Sequence, residues 1–511
     1  MPKTPSDKLY QLVHQLSSSE KRYFKVVAGQ PNGKDNKYLR LFEAIEAQPS
    51  FNDNALKEAV YGTWDIQSRK YSELKAYLYE LILKSLQSYD EKSSVDYRLK
   101  HLLLSVRVLF RRSMFEDGKA LLAKARKLAQ RYERFNALLE VLEWEKQIAY
   151  TESDVDYLDQ ELSRIAQEEQ CTIERLRTIA AYRNTFFRLM LMTRKGKIGS
   201  KAGKEELSKL MDTPLLQEFS LADSHQAKVL YFRALSVYHF AKAEWGAFYE
   251  KSKALVGLIE QKPAFLKEDV SEYISTVSNL IVSCFALQKY EEIEQYLEKL
   301  RSINPLTEDD ELKIHRQYYQ SKFSLCITTG AFEEGYQALQ DHRKTVKRFN
   351  PATFRTNAFY LFYFYIAFGA AQYEEALDYL NEWLDLETTV ERPHLQGAAR
   401  LLNLVIHYEL GNYELLESLQ RSTYRWLKKR NQLNEVERLI MSFIKQALEA
   451  PSKSELRTVY QSLQQSFEDL SQQQQTKAFL TKGFDLMAWL ESKISGLTFA
   501  EVIQQKFRAA N

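Results

Sequence analysis

The stretch GAAQYEEALDYL, residues 369–380, decides the fold. It follows an apolar run and presents a break, an aromatic residue, two acids and then a second apolar pattern. That is the order in which one helix ends and another begins, because acidic residues suit a helix N-terminus. The same shape recurs in ALQKYEEIEQYLEKL at Tyr290, TTGAFEEGYQAL at Phe332 and ELGNYELLESL at Tyr413. Upstream it recurs in RRSMFEDGKALL at Phe115, SDVDYLDQEL at Tyr157 and KAEWGAFYEKSKAL at Trp245. Adjacent turn points lie about 40–45 residues apart. The wider interval from Tyr157 to Trp245 holds one more unit, with its turn expected near residue 200.

Prolines supply a second phase. Pro214, Pro263, Pro305, Pro351 and Pro393 recur at about the same period, some 15–20 residues after the preceding turn. Proline cannot continue a helix, so these positions mark where the second helix of each pair ends. Pro451 departs from the phase and reads as a turn inside a hairpin. Each unit is expected to be two antiparallel helices of about 15–20 residues, on the order of 25–30 Å long. One such pair cannot bury its apolar face alone, whereas stacked pairs share a continuous core.

Composition agrees. At 511 residues the chain is too long for one compact core, so several domains or a repeat array are expected. Only 16 Gly and 10 Pro leave too few turn signals for a sheet protein. Aromatic content of 13% argues against disorder. The most apolar run, AFYLFYFYIAFGAA at 358–371, is shorter than the roughly 20 residues a membrane helix needs and reads as a helix buried on all sides. The opening MPKTPSDKLYQLVHQL has no uninterrupted apolar region and no small-residue cleavage site. Cys171, Cys284 and Cys326 are far apart and odd in number, which suits thiols in a reducing compartment. A cytoplasmic protein without membrane insertion is expected.

The residues after the breaks, GAFEEGYQAL, QYEEALDYL and GNYELLESL, resemble the second-helix opening of tetratricopeptide repeats. The resemblance covers roughly residues 95 to 470 and implies an all-α fold: an α-solenoid of antiparallel helix pairs. The units here are longer than that family's 34 residues, and the first-helix glycine is mostly missing. Residues 1–94 do not follow the period and read as an N-terminal helical module. Within it, Ser17 and Glu20 form a capping-box pattern. A long helix there buries Tyr71, Leu74, Leu78, Leu81, Ile82 and Leu86 at helical spacing. SEKRYF and YLYELILKSLQSY are similar to openings of uncharacterised bacterial tetratricopeptide-like proteins. Residues 471–511 read as C-terminal capping helices.

No motif carries chemistry. GKIGSKAGKE at 196–205 fails as a phosphate loop, because the glycine before Gly203-Lys204 has the wrong spacing and Glu205 stands where a hydroxyl is needed. It reads as an inter-helix loop. The eight histidines form no metal pattern; His239 and His407, in apolar helix stretches, read as core or groove groups. Paired acids such as Glu374-Glu375 stand at helix starts, where the dipole explains them. No cofactor, metal or catalytic residue is expected.

Charge is the remaining signal. The net charge of +3 is small, yet residues 96–131 are markedly basic. Arg107, Arg111, Arg112, Lys124, Lys127 and Arg131 are candidate contacts for an acidic peptide or for nucleic-acid phosphates. Tyr360 and Tyr363, in the aromatic run, are candidate peptide anchors. The leading expectation is a non-catalytic scaffold that binds a protein or peptide in the solenoid groove. The alternative is a nucleic-acid-associated protein.

Overall fold

The computed structural model describes residues 7–29, 36–90, 94–195, 201–350, 353–386, 394–430, 435–450, 452–471 and 484–510. Among the described residues every regular element is a helix and no strand occurs. The chain divides into two compact units. The first holds residues 1–243 and 257–269; the second holds 244–256 and 270–511.

The first unit opens with α1 (Lys8–Gln15), α2 (Ser18–Ala28), α3 (Lys37–Ala47), α4 (Asp53–Tyr61) and α5 (Ser68–Asp90). The Ser17–Glu20 capping box forms as the sequence suggests. Ser17 Oγ accepts from the Glu20 amide at 3.3 Å and the Ser17 amide donates to Glu20 Oε2 at 2.7 Å. Tyr71, Leu78 and Ile82 of α5 are buried, and Leu74, Leu81 and Leu86 pack beside them.

Next come α6 (Val95–Phe110), α7 (Phe115–Arg131), α8 (Phe135–Thr151), α9 (Val155–Arg194), α10 (Lys201–Met211), α11 (Pro214–Gln217) and α12 (His225–Ala241). Helix α13 (Trp245–Glu260) is divided between the units by sequence, and α14 (Pro263–Leu266) groups with the first. The second unit continues with α15 (Ser271–Ala286), α16 (Tyr290–Arg301), α17 (Glu308–Thr329), α18 (Phe332–Thr345), α19 (Asn357–Gly369), α20 (Tyr373–Leu384), α21 (His394–Glu409) and α22 (Tyr413–Lys429). It ends with α23 (Glu435–Glu449), α24 (Lys453–Ser471), α25 (Leu486–Ser495) and α26 (Phe499–Ala510). Helices pack mainly on their sequence neighbours. Alternate helices also touch, as in α15 on α17, α17 on α19, α19 on α21 and α21 on α23.

One backbone device makes the pairs. A left-handed residue stands two positions before the first residue of α7, α8, α9, α13, α16, α18, α20 and α22. These residues are Ser113, Glu133, Ser153, Ala243, Gln288, Gly330, Ala371 and Gly411. From Ala243 to Gly411 they fall 45, 42, 41 and 40 residues apart. The next amide returns to the carbonyl five residues back, as in Gln372 N to Ala367 O at 2.9 Å and Lys289 N to Cys284 O at 2.9 Å. This is the bond that satisfies a terminal carbonyl when a helix ends in a left-handed residue. An aromatic pair spans the same turn: Phe110–Phe115, Phe285–Tyr290, Phe368–Tyr373 and Tyr408–Tyr413 have ring centroids 5.2–6.5 Å apart. At these four turns the pair accounts for the aromatic after the break. Gly369 of the opening stretch has its own reason, since a Cβ there would collide with the Phe332 ring of α18.

The expected helix length fails at α9. No Gly or Pro interrupts residues 155–194, and one helix of 40 residues, about 60 Å long, replaces two shorter ones. The turn expected near residue 200 falls on residues 196–200, which lie outside the described residues. Lys201, Gly203 and Glu205 already belong to α10. Pro214 and Pro263 open the short helices α11 and α14 at the first helical position, where proline's missing N–H is harmless. Pro305 lies between α16 and α17. Pro351, Pro393 and Pro451 lie outside the described residues.

The core of the second unit centres on α19. Phe359, Tyr360, Tyr363, Phe364, Tyr365, Ile366, Ala367 and Phe368 are all buried. No helix among the described residues is long and apolar enough to cross a membrane. The last two helices fold back onto this core. Phe499 packs on Phe332, Tyr365 and Phe368 and stacks on Phe484 at 5.3 Å. Gln504 Nε2 donates to Gly330 O at 3.0 Å. Thus α26 crosses the α17–α18 turn.

A non-glycine residue in the left-handed region costs about 1–2 kcal/mol, offset in part by the entropy a glycine loses on folding. Gln288, exposed at φ 58°, is the cleanest test. Gln288→Gly is expected to stabilise the protein by about 0.5–1 kcal/mol. Gln288→Val, branched at Cβ, is expected to destabilise it. Denaturant midpoints of the two variants would order the opposite way if the turn were free to relax.

Candidate functional site

Two surfaces carry the residues singled out in the sequence. The first is the α6–α7 hairpin. Arg107, Arg111, Arg112, Lys124, Lys127 and Arg131 are all exposed. None forms an ion pair with a described residue, whereas their neighbour Arg126 is held by Glu145 at 2.7 Å and by Glu168. The hairpin separates them. Arg107, Arg111 and Arg112 gather at the turn, where the Arg112 guanidinium donates to Val108 O at 3.0 Å. Arg131 ends α7, which at 17 residues is about 25 Å long. The six are spread along the hairpin and do not form one cluster.

The second surface is a cavity of about 460 Å³ in the second unit, among the end of α18, the segment into α19, and α20. That size is ordinary for a ligand site. Arg343, Lys344, Lys347 and Arg355 line it together with Glu382, Tyr360 and Tyr363. Four cations thus face one carboxylate. Both tyrosines are buried, at 3% and 2% exposure, so they form the floor and not an open platform. The Tyr360 hydroxyl donates to Glu382 Oε2 at 2.9 Å. The Arg343 guanidinium lies 3.6 Å from Glu382 Oε1 and over the rings of Tyr363 and Tyr379 at 5.8 and 5.4 Å. The signal for these cations was present in DHRKTVKRFNPATFR, residues 341–355, which holds five cations and one acid. A helix C-terminus attracts such residues anyway, and α18 ends there.

Behind the floor runs a buried chain of hydrogen bonds. His315 Nε2 lies 2.9 Å from His342 Nδ1, and His342 Nε2 lies 2.6 Å from the Tyr363 hydroxyl. Either direction of donation leaves both rings neutral. Burial is the main cause that lowers both histidines, to about 4 for His315 and about 3 for His342; Arg348 adds to the first, His315 and Arg343 to the second. Burial also pushes the Tyr363 hydroxyl up. His315 and His342 are 27 residues apart on different helices, so nothing local in the sequence announces their contact. His407, half-buried, faces Asn412 Nδ2 at 3.1 Å and is lowered by burial.

Among the described residues no group of three or more His, Cys, Asp and Glu side chains is placed to hold a metal ion. Cys284 and Cys326 are buried thiols, pushed up to about 12 by burial, and Cys171 is exposed. These features define an all-helical protein whose helices pack in sequence order. No protein-family model matches the chain, and no curated protein matches it.

The histidine pair sets a pH dependence. An unfolded histidine titrates near 6.5. The folded rings stay neutral down to about 4 and about 3. Their contribution is therefore complete above pH 6.5 and is lost as pH falls, because only the unfolded state takes up protons there. Thermal midpoints are expected to fall from pH 6.5 to about 5, above the carboxylate range. In a His315→Gln/His342→Gln variant that slope is expected to flatten. An unchanged slope would assign the dependence elsewhere.

Proposed function

We propose that this chain is a cytoplasmic, non-catalytic α-solenoid of tetratricopeptide-like helix pairs that captures an acidic peptide of a partner protein. The observation that carries the reading is the cavity of the second unit, where Arg343 and the Tyr360 hydroxyl already hold one carboxylate, that of Glu382. A peptide carboxylate would meet the same chemistry. It would exchange with Glu382 for Arg343 and gain Lys344, Lys347 and Arg355 from the rim. Apolar peptide atoms would lie on Val346 and Phe354. The exposed cations of α6–α7 would add long-range steering, which raises association rates and falls with salt. The recurring turns and the touching alternate helices support the solenoid reading. Three free cysteines support a reducing compartment.

A hydrogen bond to a charged group contributes about 1.5–3 kcal/mol. Reversing one rim cation is thus expected to weaken binding by about tenfold or more. The test is fluorescence anisotropy with a labelled Glu/Asp-rich peptide on the full chain. Arg343→Glu and Lys347→Glu should each weaken binding, and Lys124→Glu should change it little beyond a shallower salt dependence. Equal affinity for all three variants would reject the cavity as the peptide site.

A nucleic-acid role is the second reading, favoured by the six exposed α6–α7 cations that form no ion pair with a described residue. It calls for oligonucleotide binding with a steep salt slope that Arg107→Glu/Lys124→Glu abolishes.

A further inference from the structure

The 40-residue helix α9 presents an apolar stripe to solvent. Val155, Leu162, Ile173, Phe187 and Leu191 are 70%, 49%, 47%, 55% and 55% exposed. At 100° per residue they fall within about 40° of one line along the helix. On that line Asp159, Ala166, Ile173, Ala180, Phe187 and Arg194 recur every seven residues, and all six are exposed. Side chains at a seven-residue spacing form the seam of a left-handed supercoil.

The charge on this helix is segregated along its length. Residues 155–174 carry six acids and one base; residues 175–194 carry five bases and no acid. The halves have net charges of −5 and +5. Several of these groups are used within the chain: Arg164 with Glu161 and Glu168, Lys146 with Glu169, Arg175 with Asp223, Arg177 with Glu174, and Arg188 with Glu206. Asp156, Asp159, Arg183 and Arg194 form no ion pair with a described residue. The uncommitted acids lie at one end of the helix and the uncommitted bases at the other.

We infer that α9 is the interface of an antiparallel homodimer, with a second copy of this chain as its occupant. Reversal about the point between Leu176 and Arg177 sets Asp159 against Arg194, Ala166 against Phe187, and Ile173 against Ala180. Each small residue meets a large one, and each end charge meets its opposite. A parallel pairing would set Phe187 on Phe187, Ala166 on Ala166, Asp159 on Asp159 and Arg194 on Arg194. It would leave gaps and like charges in contact. The antiparallel arrangement is self-complementary, as a two-fold interface requires. It also covers the apolar stripe over about 50 Å.

The experiment uses the full chain. Light scattering is expected to give a dimer mass at about 10 μM. Phe187→Glu is expected to give a monomer with unchanged helical circular dichroism. Orientation is read by oxidative cross-linking in a Cys171→Ser background, which removes the exposed native thiol on α9. Ala166→Cys mixed with Phe187→Cys should form a mixed disulfide dimer. Neither variant alone should cross-link, because two copies of residue 166 would sit about 30 Å apart. A monomer mass up to 100 μM, a dimer that Phe187→Glu leaves intact, or self-cross-linking of each single variant would overturn the inference.

Discussion

The left-handed residue at eight of the described helix-to-helix turns is the constraint on which the structure rests. It reverses the chain within four residues, so the two helices of a pair must lie antiparallel and close. The cost is strain at six non-glycine positions, Ser113, Glu133, Ser153, Ala243, Gln288 and Ala371. The return is a satisfied carbonyl at the end of the first helix and, at the Ser113, Gln288 and Ala371 turns, an aromatic pair that locks the entry to the second. Glu133 shows how far such a residue can be exploited. From its turn its carboxylate accepts the amides of His225 and Gln226 at 3.0 and 3.1 Å and meets Lys262 at 3.0 Å. Burial alone would raise its carboxyl, yet those three donors outweigh burial and hold it low. One turn residue therefore ends its own helix and caps α12.

At one of the two glycine turns, space demands the glycine. At Gly330 a Cβ would sit 2.7 Å from Gln504 Cγ and 2.9 Å from the Gln504 amide, because α26 crosses there. Ala371 and Gln288 occupy the same backbone state without that crowding. Gly411 is the other, and nothing lies within 4 Å of the position its Cβ would take; its glycine has no packing account.

What the sequence made legible follows from the range of the forces involved. The Ser17–Glu20 capping box, the helix openings at Phe115, Trp245, Tyr290, Phe332, Tyr373 and Tyr413 and the apolar run of α19 are local patterns, and the structure has each in place, whereas the helix expected to open at Tyr157 opens at Val155. The 40-residue span of α9 was also written locally, in the absence of Gly and Pro between 155 and 194. A periodic expectation overrode it. The return of α25 and α26 onto α19, the His315–His342 contact and the floor made by Tyr360 and Tyr363 are different in kind. They join residues tens to more than a hundred positions apart, and no local spacing encodes them. Tyr360 and Tyr363 were singled out as anchors because tyrosine has a polar tip. The structure turns those tips inward, to Glu382 and His342.

That inward turn bears on what the cavity can do. A histidine whose conjugate acid titrates near 3 or 4 is protonated in roughly one molecule in a thousand or fewer at pH 7. It is also a weak base there, several units from the value that suits proton transfer at neutral pH. The outer end of the chain is a tyrosine that burial holds protonated. The His315–His342–Tyr363 chain joins three helices behind the floor, and on the peptide-capture reading proposed above the groups that would meet the ligand are those of the rim. Those rim groups differ in setting: Arg343 lies over the rings of Tyr363 and Tyr379, Lys344 pairs with Asp341 at 3.5 Å, and Lys347 is exposed. A buried floor under an exposed cationic rim suits recognition of charge more than recognition of one exact shape. On the peptide-capture reading proposed above, such a rim would accept a family of acidic segments.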